Sequence, residues 1–524
     1  MSLRVLSSFE KRLLTQSIEN KRNGTTFAAS YSSCNENWDD DITLSTVRDS
    51  RLTLPILTHA LQRLISKNIE LALTINENIE FELLKKIKTD SIIKLVQFGS
   101  FKDEKVNCHA GAPPYLLRHI YNNSKFTPGS QQPLWELYIV DESLVIFHGQ
   151  DVLFDSFSGA NFHKLLMEEI NQVILNHKPD VELNKLDYIF NRNEIYTDVS
   201  LPKSIYDNPK IHLPAKTTDL FNLQTQSFFK SIFFNTVKKP LDVLPFFGSN
   251  DEEVHYKNLE EYKSIGELNE LESETNLCGT TVFGTISKER FNYLHSIVEQ
   301  ENICFRSLIC GITMLCLKPL VQNFDKSITF SMEIDLRDQV NKSEEATKNF
   351  GLYYKEIRVE CPLSLIDDEK FMKSDEEEAD AKTLNEDDSE QMEKLLEFQL
   401  KNVTNHVKTV IEENMKRFEK SGFNDDDIRR MKYSNTDEFT SEKEQEKVIN
   451  ICDTSDIVLG ATNNKREGLF NLKNTSFTKS LKKNEYMSLC YSYCNDSGLN
   501  LCIHFSDSYN MENFVECFQS FIEE

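Results

Sequence analysis

The chain has 524 residues, and 59 lysines and arginines against 84 aspartates and glutamates give a net charge of −25. A length of this order predicts two domains, and 39% hydrophobic residues suffice to bury a core in each. The negative balance argues against nucleic acid as a partner, because neutralising phosphates takes clustered Lys and Arg. Part of the charge is local: residues 375–390 hold nine acids and one lysine, so the remainder is only moderately acidic. The 12 cysteines include no C-x-x-C pair, and the N-terminus lacks the apolar core of a signal peptide. Scattered thiols without a secretion signal read as reduced, buried cysteines of a cytoplasmic protein. Metal ligation wants tighter Cys/His spacing, so no metal site is expected. The longest apolar stretch, Leu308 to Leu317, is about half of a bilayer span.

In chain order, Leu57, Ala60, Leu61, Leu64 and Ile65 recur with helical period behind Pro55, which predicts an amphipathic helix. Trp135, Leu137 and Ile139 alternate as a half-buried strand, and Leu144 to Phe147 is an apolar run typical of a buried one. A helix follows with Phe162, Leu165, Leu166, Val173 and Ile174 on one side. Proline and asparagine breaks across 178–275 predict a surface crossover between domains. The second half opens with a strand from Thr280 to Ile286 and a helix capped by Ser287. A buried helix spans Phe305 to Leu317, and a strand carries Ile328, Phe330, Met332 and Ile334. The acidic stretch 367–390 reads as a disordered insertion. A long helix bears Leu396, Val403, Val407, Val410 and Ile411. The end is a hairpin, Met487 to Tyr493 and Leu499 to Phe505, then a helix with Met511, Phe514, Val515, Phe518, Phe521 and Ile522.

The richest stretch for chemistry runs from Phe147 to Gly159, F-H-G-Q-D-V-L-F-D-S-F-S-G. A buried strand passes through polar residues into a helix, which is where a rigid scaffold aims catalytic groups. On spacing alone it is equally a strand-to-helix turn with Asp155 or Ser156 as N-cap.

In its order of motifs the sequence resembles the yeast alcohol acetyltransferases, relatives in fold of the BAHD acyltransferases, chloramphenicol acetyltransferase and carnitine acyltransferases. The resemblance rests on Ser17 to Arg22, the Leu52 to Ala72 helix and Pro133-Leu134-Trp135-Glu136-Leu137. It continues through Lys185-Leu186-Asp187-Tyr188-Ile189-Phe190, Asp335-Leu336-Arg337, Asn349-Phe350-Gly351, Val458-Leu459-Gly460 and Gly468-Leu469-Phe470. It implies an α/β (α+β two-layer), two-domain chloramphenicol acetyltransferase-like fold. Residues 1–177 and 276–524 would be the halves, and 178–275 the crossover. It also implies acetyl-CoA as co-substrate, with direct acyl transfer to a small alcohol. In the family's H-x-x-x-D-G motif the histidine deprotonates the acceptor, while the aspartate pairs with an arginine that fixes the loop.

Here the motif departs. Asp155 takes the aspartate position, Ser156 stands for the glycine, and Asp151 stands where the histidine belongs. A histidine near pKa ~6.5 suits a general base at neutral pH, whereas a carboxylate near ~4 does not. Losing a matched base costs about 10²- to 10⁴-fold. Burial beside Asp155 raises a carboxyl pKa, which leaves Asp151 as one candidate base. His148 is the other, although three residues along a strand place it on the opposite face unless Gly149 re-aims the chain. The competing reading of His148 is a structural strand histidine. His163, on the following helix, reads as surface. Arg337 beside Asp335 is a partner for Asp155 or a plain ion pair, and Gly351 is either channel lining or a turn glycine.

Three functions therefore compete: alcohol O-acetylation, amine N-acetylation, and a non-catalytic paralogue that binds CoA, a ligand or a protein partner through the same cleft. A monomer is expected. The resemblance associates amphipathic chain ends with lipid droplets and the endoplasmic-reticulum surface, and Leu6, Phe9, Leu13, Leu14 and Ile18 make one such face. Glu512, Glu516, Glu523 and Glu524 suit an anionic membrane poorly, and packing against the core is the rival use of these faces.

Overall fold

The computed structural model describes residues 2–19, 23–33, 52–96, 112, 114–177, 182–194, 201, 204–207, 280–300, 302–318, 326–337, 350–367, 388–423, 448–460, 469–481, 485–505, 514–515, 517–518 and 520. The first half contributes β1 (Ser2–Val5), α1 (Ser8–Ile18), β2 (Thr25–Ser33), α2 (Leu54–Lys67), β3 (Leu73–Ile75), β4 (Glu80–Leu83), β5 (Lys86–Lys88), α3 (Thr89–Ile92) and β6 (Ile93–Val96). It continues with α4 (Pro114–Asn123), β7 (Trp135–Val140), β8 (Leu144–Gly149), α5 (Ser156–Asn176) and β9 (Tyr188–Asn191). The second half contributes β10 (Thr280–Ile286), α6 (Lys288–Gln300), α7 (Phe305–Cys316), β11 (Ser327–Asp335), β12 (Tyr354–Pro362), α8 (Asp388–Ser421), β13 (Val448–Asp453), β14 (Phe470–Lys479), β15 (Glu485–Cys494) and β16 (Gly498–Phe505).

Two mixed sheets carry the architecture, five strands in the order β14-β2-β8-β7-β6 and six in the order β10-β16-β15-β13-β11-β12. This is the two-layer α/β fold expected. In the first sheet β7 lies antiparallel to β8 and parallel to β6. Its strands carry apolar residues on both faces because both are covered. Trp135, Leu137 and Phe147 face α2 and α5 in the main core. Tyr138, Val140 and Ile146 face α4 in a smaller cluster. The half-burial expected for β7 is thus exceeded, since every residue of it but Glu136 is buried.

The alternation in β11 sends Phe330 and Met332 into the second core. It turns Thr329, Ser331 and Glu333, all buried, to the other face. There Ser156 of the first half meets Glu333, so this part of the seam between the halves is polar.

One strand breaks the sequence division: β14, late in the second half, pairs antiparallel with β2 from Phe470↔Ser33 to Lys479↔Thr25. Part of the crossover stretch is also built in. β9 pairs with β5, with Ile189 and Phe190 fully buried, and Ile205 packs with Leu336 and Tyr353. The acidic stretch lies outside the described residues over 368–387, and residues 388–390 open α8 rather than remaining unstructured. The β15–β16 turn closes on Gly498 at φ +94°, where a Cβ would stand 2.3 Å from the Ile286 carbonyl oxygen. Both terminal segments pack inward. Phe9 and Leu13 form a cluster with Phe157 and Tyr354, and Phe514 and Phe518 lie in the second core. No helix among the described residues is long and apolar enough to cross a membrane.

Candidate functional site

The site begins where β8 ends. After Gly149 the chain turns through Gln150 to Leu153, held by the amides of Leu153 and Phe154 donating to the Gln150 carbonyl at 3.0 and 2.9 Å. Asp155 then caps α5, its Oδ1 accepting from the Ser158 amide at 2.9 Å and hydroxyl at 2.8 Å. The same oxygen accepts from Arg337 Nη2 at 2.8 Å, and Oδ2 accepts from the Tyr353 amide at 3.0 Å. Arg337 also donates to Asp335 at 3.0 Å and to the Gly351 carbonyl at 3.2 Å. Its guanidinium lies 5.3 Å from the centre of the Tyr353 ring and 5.6 Å from that of Phe157. Gly351, at φ +130°, has room for no side chain: a Cβ would stand 2.6 Å from the Tyr353 ring.

Of the residues singled out in the sequence, Asp155, Arg337, Asp335 and Gly351 thus form one knot, with Asp155 buried and the other three partly so. It joins the α5 N-terminus to the end of β11 and the segment before β12. Burial alone would lower the Arg337 pKa, but Asp155 and Asp335 outweigh it and raise it. Burial also lifts Asp335 above the usual carboxylate range, partly offset by Arg337. Arg337 is therefore a bridge between the halves as well as an ion-pair partner.

Asp151 and His148 sit apart from the knot, each held by a threonine of β2. Asp151 is buried and accepts from the Thr25 hydroxyl at 3.0 Å. His148 Nδ1 lies 3.1 Å from the Thr26 hydroxyl, while Nε2 has no hydrogen-bond partner among the described residues. As strand alternation requires, His148 faces away from the Phe147 side. It meets Tyr121 of α4 edge-on at 5.9 Å between ring centres. Burial drives its pKa down to about 4, against the pull of Glu136 and Asp151. The imidazole is neutral at pH 7 and a weak base.

His163 corrects the sequence reading: it is fully buried on α5 rather than at the surface. One ring nitrogen lies 2.9 Å from the Phe27 carbonyl and the other 2.9 Å from the Tyr31 hydroxyl. The carbonyl can only accept, so Nε2 carries the proton and Nδ1 accepts from Tyr31. The helix packs directly on β2, which puts this position inside.

The sequence reading missed the partner of Ser156. Its hydroxyl donates to Glu333 at 2.7 Å, and the other Glu333 oxygen holds Lys479 of β14. The available signal was an acid inside the alternating run of β11 and a lysine ending β14. The nine cysteines among the described residues are all free and mostly buried. Among those residues no group of three or more His, Cys, Asp or Glu is placed to hold a metal ion.

No family model matches the sequence. The chain is 11% identical to TRI3 trichothecene 15-O-acetyltransferase from Fusarium sporotrichioides, with a TM-score of 0.54 over 99% of this chain and 95% of that one. It is 9% identical to the first condensation domain of the calcium-dependent antibiotic synthetase, with a TM-score of 0.50 over 100% and 95%. These likenesses show the two-domain fold of CoA-dependent acetyltransferases and condensation domains. In sequence, the chain is 48% identical over 534 aligned positions to the PSTB2-interacting protein 1 of Saccharomyces cerevisiae (strain ATCC 204508 / S288c), covering the whole of both. The chain belongs to the family of that protein.

Proposed function

We propose that this chain uses an acyltransferase fold for binding rather than for acyl transfer, and that its partner is a protein. One observation carries the reading: both positions that depart from the H-x-x-x-D-G pattern are already engaged within the chain. Asp151 accepts from Thr25 and Ser156 donates to Glu333, while the Asp155–Arg337 knot that orders the loop is kept. A scaffold retained without its base is what loss of catalysis leaves behind. The relative's name, an interacting protein of PSTB2, supports a counterpart of PSTB2 as the partner.

A second reading is acetyl-CoA-dependent acylation of a small alcohol or amine, with His148 as base. It is favoured by Nε2 of that residue, which has no hydrogen-bond partner among the described residues, and disfavoured by its low basicity. Both readings meet in one experiment on the purified chain. Thiol release from acetyl-CoA is followed with a panel of alcohols and amines, and complex formation with the PSTB2 counterpart is measured by calorimetry. The binding reading expects a complex and no acceptor-dependent release. Release above an Asp151→Ala, His148→Ala double variant would overturn it. Its loss in His148→Ala alone would identify the base.

A further inference from the structure

Among the nine described cysteines only Cys304 and Cys517 are not buried. Cys304 caps the start of α7 and Cys316 ends it, which sets them roughly 18 Å apart at the rise of a helix. Cys517 lies in the last described segment, helical at 514–515, 517–518 and 520. Phe514 and Phe518 anchor that segment in the second core. Cys517, three residues after Phe514, falls on the same face and packs against the same cluster, which includes Cys316. The two thiols meet there, with Cys316 hydrogen-bonded to Cys517.

The contact is asymmetric. Cys316 is 1% exposed, and burial, then the hydrogen bond it donates, pushes its pKa well up. Cys517 accepts that bond, which outweighs burial and lowers its pKa from the ordinary thiol value. One thiol is therefore partly exposed and readier to ionise, and the other is held against it in the core. An attacking thiol and a resolving thiol need just these two environments. A second pair supplies the contrast. Cys452 of β13 and Cys490 of β15 stand directly opposite each other and are hydrogen-bonded too, but both are fully buried. Proximity without access should leave that pair reduced.

We infer that Cys316 and Cys517 form a thiol–disulfide pair, a reversible oxidation site at which hydrogen peroxide closes a bond between the end of α7 and the C-terminal segment. The Cys517 thiolate attacks one oxygen of the peroxide and the O–O bond breaks. This gives a sulfenic acid and a hydroxide, which takes up the proton lost by Cys517 and leaves as water. The Cys316 sulfur then attacks the Cys517 sulfur. The S–S bond forms, the S–O bond breaks, and the hydroxyl departs with the Cys316 proton as a second water. Two electrons pass from the sulfurs to the peroxide. The bond fastens Phe514 and Phe518 over the second core, and a dithiol reductant releases it. The site stands whether the chain binds a partner or transfers acyl groups, because it uses neither Asp151 nor His148.

To test this, the reduced full-length chain is treated with hydrogen peroxide, and thiols left free are alkylated and mapped by mass spectrometry over time. The expected product is a cross-linked peptide pair joining Cys316 to Cys517, lost again on dithiothreitol. Cys517 should lose its free thiol at least about tenfold faster than Cys452 or Cys490. Cys517→Ser should abolish the cross-link. Cys316→Ser, which removes the resolving thiol, should leave Cys517 as a sulfenic acid that dimedone labels, whereas the oxidised wild type takes up little label. Cys517 still free after Cys452 and Cys490 have reacted, a cross-link formed between another pair in its place, or no dimedone label on Cys316→Ser would each overturn the assignment. The wild-type peptide map decides it even if a serine variant fails to fold.

Discussion

At the scale of single residues, the Asp155–Arg337 pair is the contact most exposed to test. Asp155 accepts four hydrogen bonds from three elements. Asp155→Ala removes all of them and takes one of two carboxylate partners, Asp155 and Asp335, from the Arg337 guanidinium. We expect a loss of about 3–5 kcal/mol in unfolding free energy, read by urea denaturation. Asp155→Asn, which keeps the cap, should cost less than Asp155→Ala; equal costs would show that the charge alone matters. Three buried groups with large shifts contribute to the pH dependence. His148 and His163 are both lowered to about 4 by burial. The unfolded chain binds those protons below about 6.5, so their contribution to stability is lost as pH falls from 6.5 towards 4. Glu70, lifted to about 7 by burial, acts oppositely: the native state binds its proton more tightly, and stability is lost as pH rises from about 4.5 to 7. Accordingly Glu70→Gln should be stabilised over wild type at pH 8, by up to about 3 kcal/mol, with the gain gone at pH 4. A gain independent of pH would contradict the burial of an ionisable group there.

At the scale of elements, most of the fold can be read from the sequence and most of the site's wiring cannot. α2, β8, β10, α7, β11 and the β15–β16 hairpin follow from period, turn chemistry and a proline or serine at the helix start, because those signals are local. His163 and β7 were misjudged for a shared reason: burial of a second face depends on which element later covers it. The carboxylate–arginine pairing was legible as a family pattern, but Ser156–Glu333–Lys479 joins residues 177 and 146 positions apart. No local pattern announces such a contact. β14 is the clearest case, an ordinary strand by composition whose partner β2 lies more than 400 residues earlier. Phe477 of β14 stacks on Phe27 at 5.6 Å between ring centres, and both are buried. Phe477→Ala should cost about 3–5 kcal/mol, measured as a drop in the urea midpoint with unchanged m-value. Since β14 pairs with β2 in the first sheet rather than with a strand of the second, the variant should also expose amides of β2 to hydrogen exchange before those of β11. Equal exchange in both sheets would mean that the halves unfold as one unit.

For the whole molecule, the exchange of β14 means that neither half of the sequence is a complete folding unit. The first sheet needs a strand from the end of the chain, and the seam beside it is closed by the polar latch of Ser156, Glu333 and Lys479 together with the Arg337 knot. Such a seam differs from an ordinary interdomain contact, which is modest in area and free to move. Two consequences can be measured. A fragment ending at residue 207 leaves β2 as an unpaired edge with Phe27 uncovered, and should show no cooperative unfolding transition. In the intact chain, a specific protease site placed within 208–279 and then cut should leave the two pieces co-eluting, at about 1 M salt as well as in dilute buffer. At that ionic strength exposed charge pairs are screened within about 3 Å, while the β14–β2 ladder and its buried rings are not. Separation of the pieces by salt would show that surface charge, rather than the exchanged strand, holds the halves together. A cooperative transition in the short fragment would show that the first half folds without β14.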